Sequence, residues 1–331
     1  MGRLAVWTLV GLCASACTSS GSDPGSGQGG SGGVGNPTGS GGTPPLSMDT
    51  NAAGGSGQDT PSQVPEAGAA DGSVAAPVDA APDATADLGT AAGCPGGVLL
   101  CDDFEKYAAP ADLAPAWKAT ASGGATITVD ATKAWKGTKA LHIKGAAGTP
   151  SAVIVKEGAP LFPIPGNVMF GRVMLWLTGT PGGSYHWNSI QAAGVITATN
   201  QWGKYGWGGQ FGKVLAGYTV RQNAAGSAIV DCSKPSAMAF PPQKWVCVEW
   251  AFDGTRNEMH MWFDGQLLAD ADIVGTGTRC VAGGDIGKPW AAPVFSNLTI
   301  GWQQYQASSG PLELWLDDLV VDKARVGCPA P

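Results

Sequence analysis

The sequence predicts an all-β domain, a sandwich of two antiparallel sheets behind a long disordered linker. Three observations predict it. Apolar and polar residues alternate with period two in one run after another, Gly, Pro, Asn and Asp separate the runs, and no stretch keeps a period of 3.6 over three turns.

At the start, Arg3 precedes an apolar run from Leu4 to Leu12, too short to span a bilayer and typical of a signal peptide. The run closes on Ala14-Ser15-Ala16-Cys17, which resembles the lipobox of bacterial lipoproteins. The resemblance implies cleavage ahead of Cys17 and its acylation, the alternative being an ordinary signal peptide cut after Ala16. Thr18 and Ser19 follow rather than aspartate, so the outer membrane or cell surface is the expected destination. From Thr18 to about Ala92 the chain is Gly, Ser, Pro, Ala, Thr and Asp, with almost nothing large to bury against the entropy of folding. A flexible tether of roughly 75 residues has a root-mean-square span of about 45–50 Å. The expected organisation is therefore 1–16 signal peptide, 17–92 lipidated tether and 93–331 folded domain.

The folded part has about 240 residues, an ordinary size for one sandwich. Its strand signals are Thr126 to Val129, Ala140 to Ile143, Ala152 to Val155, Phe170 to Leu177, Val246 to Phe252, Glu258 to Phe263, Leu298 to Ile300 and Leu312 to Val321. Asp253-Gly254 and Asp264-Gly265 between extended runs are hairpin cues. Cys94, Cys101, Cys232, Cys247, Cys280 and Cys328 form an even set in an exported chain, which implies disulfides. Cys232 with Cys247 is the preferred pair, because the proline-rich stretch between them reads as a returning loop. No C-x-x-C spacing favours a metal on these cysteines. A formal charge of −7 disfavours nucleic acid as a partner.

Of 13 tryptophans, all but Trp7 lie between Trp117 and Trp315. Indole suits a sugar ring, with a flat apolar face and one N–H donor. An open carbohydrate-binding face is therefore expected, with core packing as the alternative use of the indoles. Polar residues on strand faces point the same way. Arg172 interrupts an apolar run; His186 and Asn188 share one face, with Gln191 beyond them; Trp207, Gln210 and Arg221 sit in glycine-rich runs; Asn297, Thr299, Gln303 and Tyr305 share one face beside Trp302. His142 is expected to face solvent, and His260 to be structural. Two acidic clusters, Asp102-Asp103-Phe104-Glu105 and Asp317-Asp318, belong to the first and last strands. Converging there, Asp103, Glu105, Asp317 and Asp318 would suit one structural Ca²⁺, completed by carbonyls around Trp135 to Gly137; solvated strand ends are the alternative. No organic cofactor is expected.

The W-x-x-x-E-W strand at Trp245 to Trp250, the D-G hairpins, the G-W-Q-Q-Y-Q strand at Gly301 to Gln306 and the closing L-W-L-D-D-L at Leu314 to Leu319 resemble a known group. It comprises the concanavalin-like jelly-roll polysaccharide lyases acting on alginate and glucuronan, with the related cellulose-induced secreted fungal proteins. The likeness runs from about Cys101 to Val326. It implies a concave sheet that holds polysaccharide, a calcium near the paired termini, and Arg172, His186 and Tyr305 as counterparts of the lyases' catalytic residues. Departures are plain: no R-[ST]-E-L follows Arg172, no glutamine stands two before His186, and Thr299-Ile300 replaces lysine-alanine.

β-Elimination of a uronide needs its carboxylate neutralised, its C5 proton removed and its glycosidic oxygen protonated. Arg172, Asn188 or Gln191 would bind the carboxylate, neutral His186 would act as base, and Tyr305 would deliver the proton. Substrate contacts are expected from Asn188, Gln191, Trp207, Gln210, Arg221, Trp302 and Gln303. The paired carboxylate motif of jelly-roll glucanases is absent, which argues against glycoside hydrolysis. Two functions compete: a surface-anchored, monomeric lyase for uronic-acid polysaccharide, and a non-catalytic glycan-binding lipoprotein.

Overall fold

The computed structural model describes residues 94–275, 280, 285–288, 290–308 and 310–329. The expected signal peptide, Cys17 and the tether lie outside the described residues. The described chain forms β1 (Leu100–Asp102), β2 (Lys118–Ser122), β3 (Thr126–Asp130), β4 (Ala140–Lys144), β5 (Ser151–Glu157), β6 (Val168–Leu177), β7 (Trp187–Ile196), β8 (Gln201–Gln210), β9 (Lys213–Arg221), β10 (Ala228–Pro235), β11 (Trp245–Asp253), β12 (Glu258–Phe263), β13 (Gln266–Leu267), β14 (Val294–Gln304) and β15 (Glu313–Asp322).

These strands make two antiparallel sheets. The front sheet runs β10-β9-β8-β7-β14-β5-β2; the back sheet runs β13-β12-β11-β6-β15-β4-β3, with β1 also on β15. The chain crosses between sheets at β1–β2, β2–β3, β4–β5, β5–β6, β6–β7, β10–β11, β13–β14 and β14–β15, the winding of a jelly roll. Local sequence sets the turns. Between β12 and β13 both Asp264 and Gly265 take positive φ, 46° and 80°, as a two-residue primed turn requires. Within β14, Gly301 at φ 139° forms a bulge where a Cβ would lie 2.4 Å from the Ala152 carbonyl oxygen.

The core between the sheets follows from period-two alternation. Val246, Val248, Trp250 and Phe252 of β11 point inward, as do Tyr205 and Trp207 of β8 and Leu298, Ile300 and Trp302 of β14. Six tryptophans are core: Trp117, Trp187, Trp207, Trp250, Trp290 and Trp302. Burying an indole removes about 150–250 Å² from water, roughly 4–6 kcal/mol of transfer free energy each. Five more, Trp135, Trp176, Trp245, Trp262 and Trp315, belong to the opposite, outer side of the back sheet and the loop over it. There the register aligns Trp245, Trp176, Trp315 and His142 in one row across four strands. Lys133 Nζ caps the row, 3.8 Å from the Trp176 ring centroid.

His142 is therefore not the solvent-facing residue the sequence suggests. It stacks on Trp315 at 3.9 Å and lies between Asp130 and Glu313. His260 is structural, as expected, held by Asp272 and Glu258.

The disulfides are Cys94–Cys101, Cys232–Cys280 and Cys247–Cys328. The expected Cys232–Cys247 pair is wrong for a geometric reason. Cys232 sits on the front sheet and packs into the core, whereas Cys247 sits on the back sheet, out of phase with inward-facing Val246 and Val248. Cys247 instead ties down the C-terminal segment, which also donates Arg325 and the Gly327 amide to the buried Glu249 carboxylate.

Candidate functional site

The outer face of the front sheet carries a concave groove of about 310 Å³ that crosses five strands. β5 gives Val153 and Val155, β14 gives Asn297, Thr299 and Gln303, and β7 gives Gln191 and Ala193. β8 gives Trp202 and Lys204, and β9 gives Arg221, with Ala224 beyond it. Apart from Trp202 and Ala224, each residue is the outward partner of a core residue one position away, so the alternation that builds the core also builds the groove.

Tyr305 is the hub of a polar network that reaches the groove through Lys204 and Gln303. Its backbone amide donates to the His186 carbonyl at 2.8 Å, which fixes the Tyr305 segment against the start of β7. Its Oη accepts from Lys204 Nζ at 2.7 Å and Asn188 Nδ2 at 3.0 Å, and donates to Gln303 Oε1 at 2.8 Å. Gln191 Nε2 donates to the same Gln303 oxygen at 3.0 Å. The His186 ring lies beside that of Tyr305, 5.2 Å between centroids. Glycines on β8 make room: a Cβ at Gly206 would come within 3.4 Å of the Gln191 and Asn188 side chains.

Burial and neighbouring charges shift the ionisation of these groups. Burial holds the His186 imidazole below its ordinary value, and the Lys204 charge adds to this, against the Asp231 carboxylate and Asn188. Lys204 is 6% exposed and brought down to about 7 by burial and by the Arg221 charge, with Asp231 opposing. Burial pushes Tyr305 up to about 12. Three buried polar atoms here, His186 Nε2, Asn188 Oδ1 and Arg221 Nε, have no partner among the described residues. Arg221, Lys204 and Gln303 line the groove, whereas His186 and Tyr305 lie behind that lining, Tyr305 reaching it through its bonds to Lys204 and Gln303.

Several predicted site residues lie elsewhere. Arg172 is on the back sheet, out of phase with core-facing Val173, and so separated from the groove by the whole core. It is buried and paired, with Nη2 donating to Asp318 Oδ2 at 3.0 Å and Nη1 to the Gly327 carbonyl at 3.1 Å. The expectation that it faces solvent or a groove fails because the C-terminal segment brings it both partners. Trp207 and Trp302 are core: Trp207 is fully buried and Trp302 stacks on Trp187 at 4.5 Å. They offer no face to a sugar, and Trp202 is the indole that lines the groove. Gln210 donates to the Ser184 carbonyl at 3.1 Å, on the β8 end that meets the loop before β7. Lys204 is missing from the sequence-based site. Its signal is alternation: once Tyr205 and Trp207 are core, Trp202 and Lys204 must face out.

Among the expected cation ligands, Glu105 and Asp317 meet one loop from two sides. Glu105 accepts from the amides of Thr138 and Lys139 at 2.6 and 2.7 Å and from the Thr138 hydroxyl at 2.7 Å. A Cβ at Gly137 would lie 2.4 Å from Glu105 Oε1, so only glycine admits this approach. Asp317 accepts from the Trp135 and Lys136 amides, and burial pushes its carboxyl up to about 7. Among the described residues the four carboxylates expected to converge on one cation do not form a group of three or more ligands within reach of one ion. Asp318 goes to Arg172 and Asp103 to the Glu105 amide.

Residues 103–324 match the Cip1-like core domain of the polysaccharide lyase-like family. The chain belongs to that family. Among solved structures it is similar to a cellulose-induced protein, Cip1, at 19% identity and a TM-score of 0.48, covering 70% of this chain and all of that one. It is also similar to an endo-β-1,4-glucuronan lyase from the fungus Trichoderma reesei, at 13% identity and a TM-score of 0.47, covering 69% of this chain and 96% of that one. No curated protein matches the chain by sequence.

Proposed function

We propose that this Cip1-like protein is a polysaccharide lyase that cleaves a uronic-acid polymer by β-elimination in the front-sheet groove. The observation that carries the reading is the neutral His186 beside a protonated Tyr305 whose Oη is bonded to Lys204 and Gln303, two residues that line the groove with Arg221. In this mechanism Arg221, with Gln191 and Asn297 near it, binds the uronate carboxylate and draws charge from C5. His186 Nε2 takes the C5 proton, the C5–H electron pair becomes the C4=C5 double bond, and the C4–O bond breaks. Tyr305 Oη gives its proton to the leaving oxygen. Asn188 steadies the resulting phenolate through the N–H it already donates.

We also propose a structural Ca²⁺ held by Glu105 and Asp317, a monomeric working state, and attachment to the outer membrane or cell surface through acylated Cys17. Incubating the protein with a panel of uronic-acid polysaccharides tests the lyase reading through the ultraviolet absorbance of unsaturated uronate ends. Growth of that absorbance on at least one polymer is expected, and its absence on every polymer overturns the reading.

A further inference from the structure

The lyase reading leaves one buried ionisable group unused, and it touches the proton donor. Lys204 Nζ donates to Tyr305 Oη at 2.7 Å, and no carboxylate pairs with it among the described residues. Charged and titratable groups face it from each neighbouring element: Arg221 on β9, Asp231 on β10, His186 ahead of β7 and Tyr305 after β14. One of the three N–H bonds of its ammonium is aimed at the phenol. The lysine is well placed to refill that phenol.

We propose that Lys204 acts through Tyr305 as its proton reservoir, replacing the proton that Tyr305 gives to the leaving oxygen. The inference rests on the lyase reading and adds one transfer to it. As Tyr305 Oη protonates the departing oxygen, the Lys204 N–H proton moves to Oη and its bonding pair stays on Nζ as a lone pair. The cycle ends with neutral Lys204, intact Tyr305 and protonated His186, and solvent restores the first and last between turnovers. The charge that forms on the phenolate is thereby discharged within the turnover, at a buried position where its desolvation is costly.

Lys204 must then be protonated while His186 is neutral. Turnover rises with pH as His186 loses its proton, below about 6.5, and falls again as Lys204 empties near 7. The test is the pH profile of turnover for wild type, Lys204→Arg and Lys204→Met on the best uronide, with KM measured alongside. Arginine keeps a cation on Tyr305 Oη but cannot release its proton, so it should lose turnover as the methionine variant does, whereas a purely electrostatic role would survive the change. Methionine should lower turnover by about a hundredfold, the scale of a lost proton-transfer group, with KM changed less than about threefold. The lysine side-chain NMR titration of wild type supplies a readout without substrate, and Lys204 should titrate near neutrality. An unchanged fall near neutrality in both variants, or Lys204 titrating above pH 9, overturns the inference and leaves the lyase reading intact. Absence of product from wild type on every uronide overturns the lyase reading, and this inference with it.

Discussion

Lys204→Met should change how stability depends on pH, and the size follows from burial. In the unfolded chain the lysine holds its proton up to 10.5, whereas in the fold burial and Arg221 bring it down to about 7. Below pH 7 both states carry the proton and the native state bears the cost of a buried ammonium. Between about 7 and 10.5 the unfolded chain binds a proton that the native state does not, so stability rises with pH at up to about 1.4 kcal/mol per pH unit. The whole difference is roughly 4–5 kcal/mol, of which about 3 kcal/mol falls between pH 7 and 9.5. Tyr305 and Tyr205, both raised, oppose this only above pH 10. Urea unfolding of wild type and Lys204→Met at intervals across pH 6 to 9.5 isolates the effect above pH 7, since groups that the Lys204 charge does not reach cancel in the difference and His186, which it lowers, is neutral there. Wild type should gain on the variant steadily above pH 7. Parallel stability curves would refute the placement of Lys204 as a buried, unpaired ammonium.

Trp207→Ala and Trp302→Ala should each cost about 3–5 kcal/mol in chemical unfolding, as core cavities do, whereas Trp202→Ala should leave stability within about 1 kcal/mol and weaken polysaccharide binding instead. Stripping calcium should lower the melting temperature by several degrees, since a ligand at a hundredfold excess over Kd adds about 2.7 kcal/mol. Glu105→Gln should abolish that difference, and identical melting with calcium and with chelator would count against the site. Cys17→Ala should release the protein from membranes or block its processing; unchanged partition and unchanged mass would exclude the lipid anchor.

Most of the fold was legible because period-two alternation is local. Each run that reads as a strand is one, and Asp264-Gly265 reads as the turn it makes. What alternation leaves open is which of its two faces is the core. Choosing tryptophan as the groove face put Trp207 and Trp302 on the wrong side of their strands and hid Lys204, which has the opposite phase to Trp207. Arg172 and the disulfides failed for another reason. Their partners, Asp318, Gly327, Cys280 and Cys328, are distant in sequence and are brought in by the return of the chain across the back sheet and by the loop that crosses β10. Of the residues read as one polar face, Gln191 and Gln303 line the groove, and a bulge between Asn188 and Ile190, which alternation does not show, is what sets Gln191 against the phase of Asn188.

The central claim is that His186 and Tyr305 perform the elimination. Its most direct test is turnover of His186→Ala and Tyr305→Phe on the polymer that wild type cleaves best, with binding measured on the same samples. Each variant should lose at least about a hundredfold in turnover while binding survives, because proton transfer goes and the groove contacts of Arg221, Trp202 and Gln191 stay. Turnover within about threefold of wild type in either variant would contradict the account.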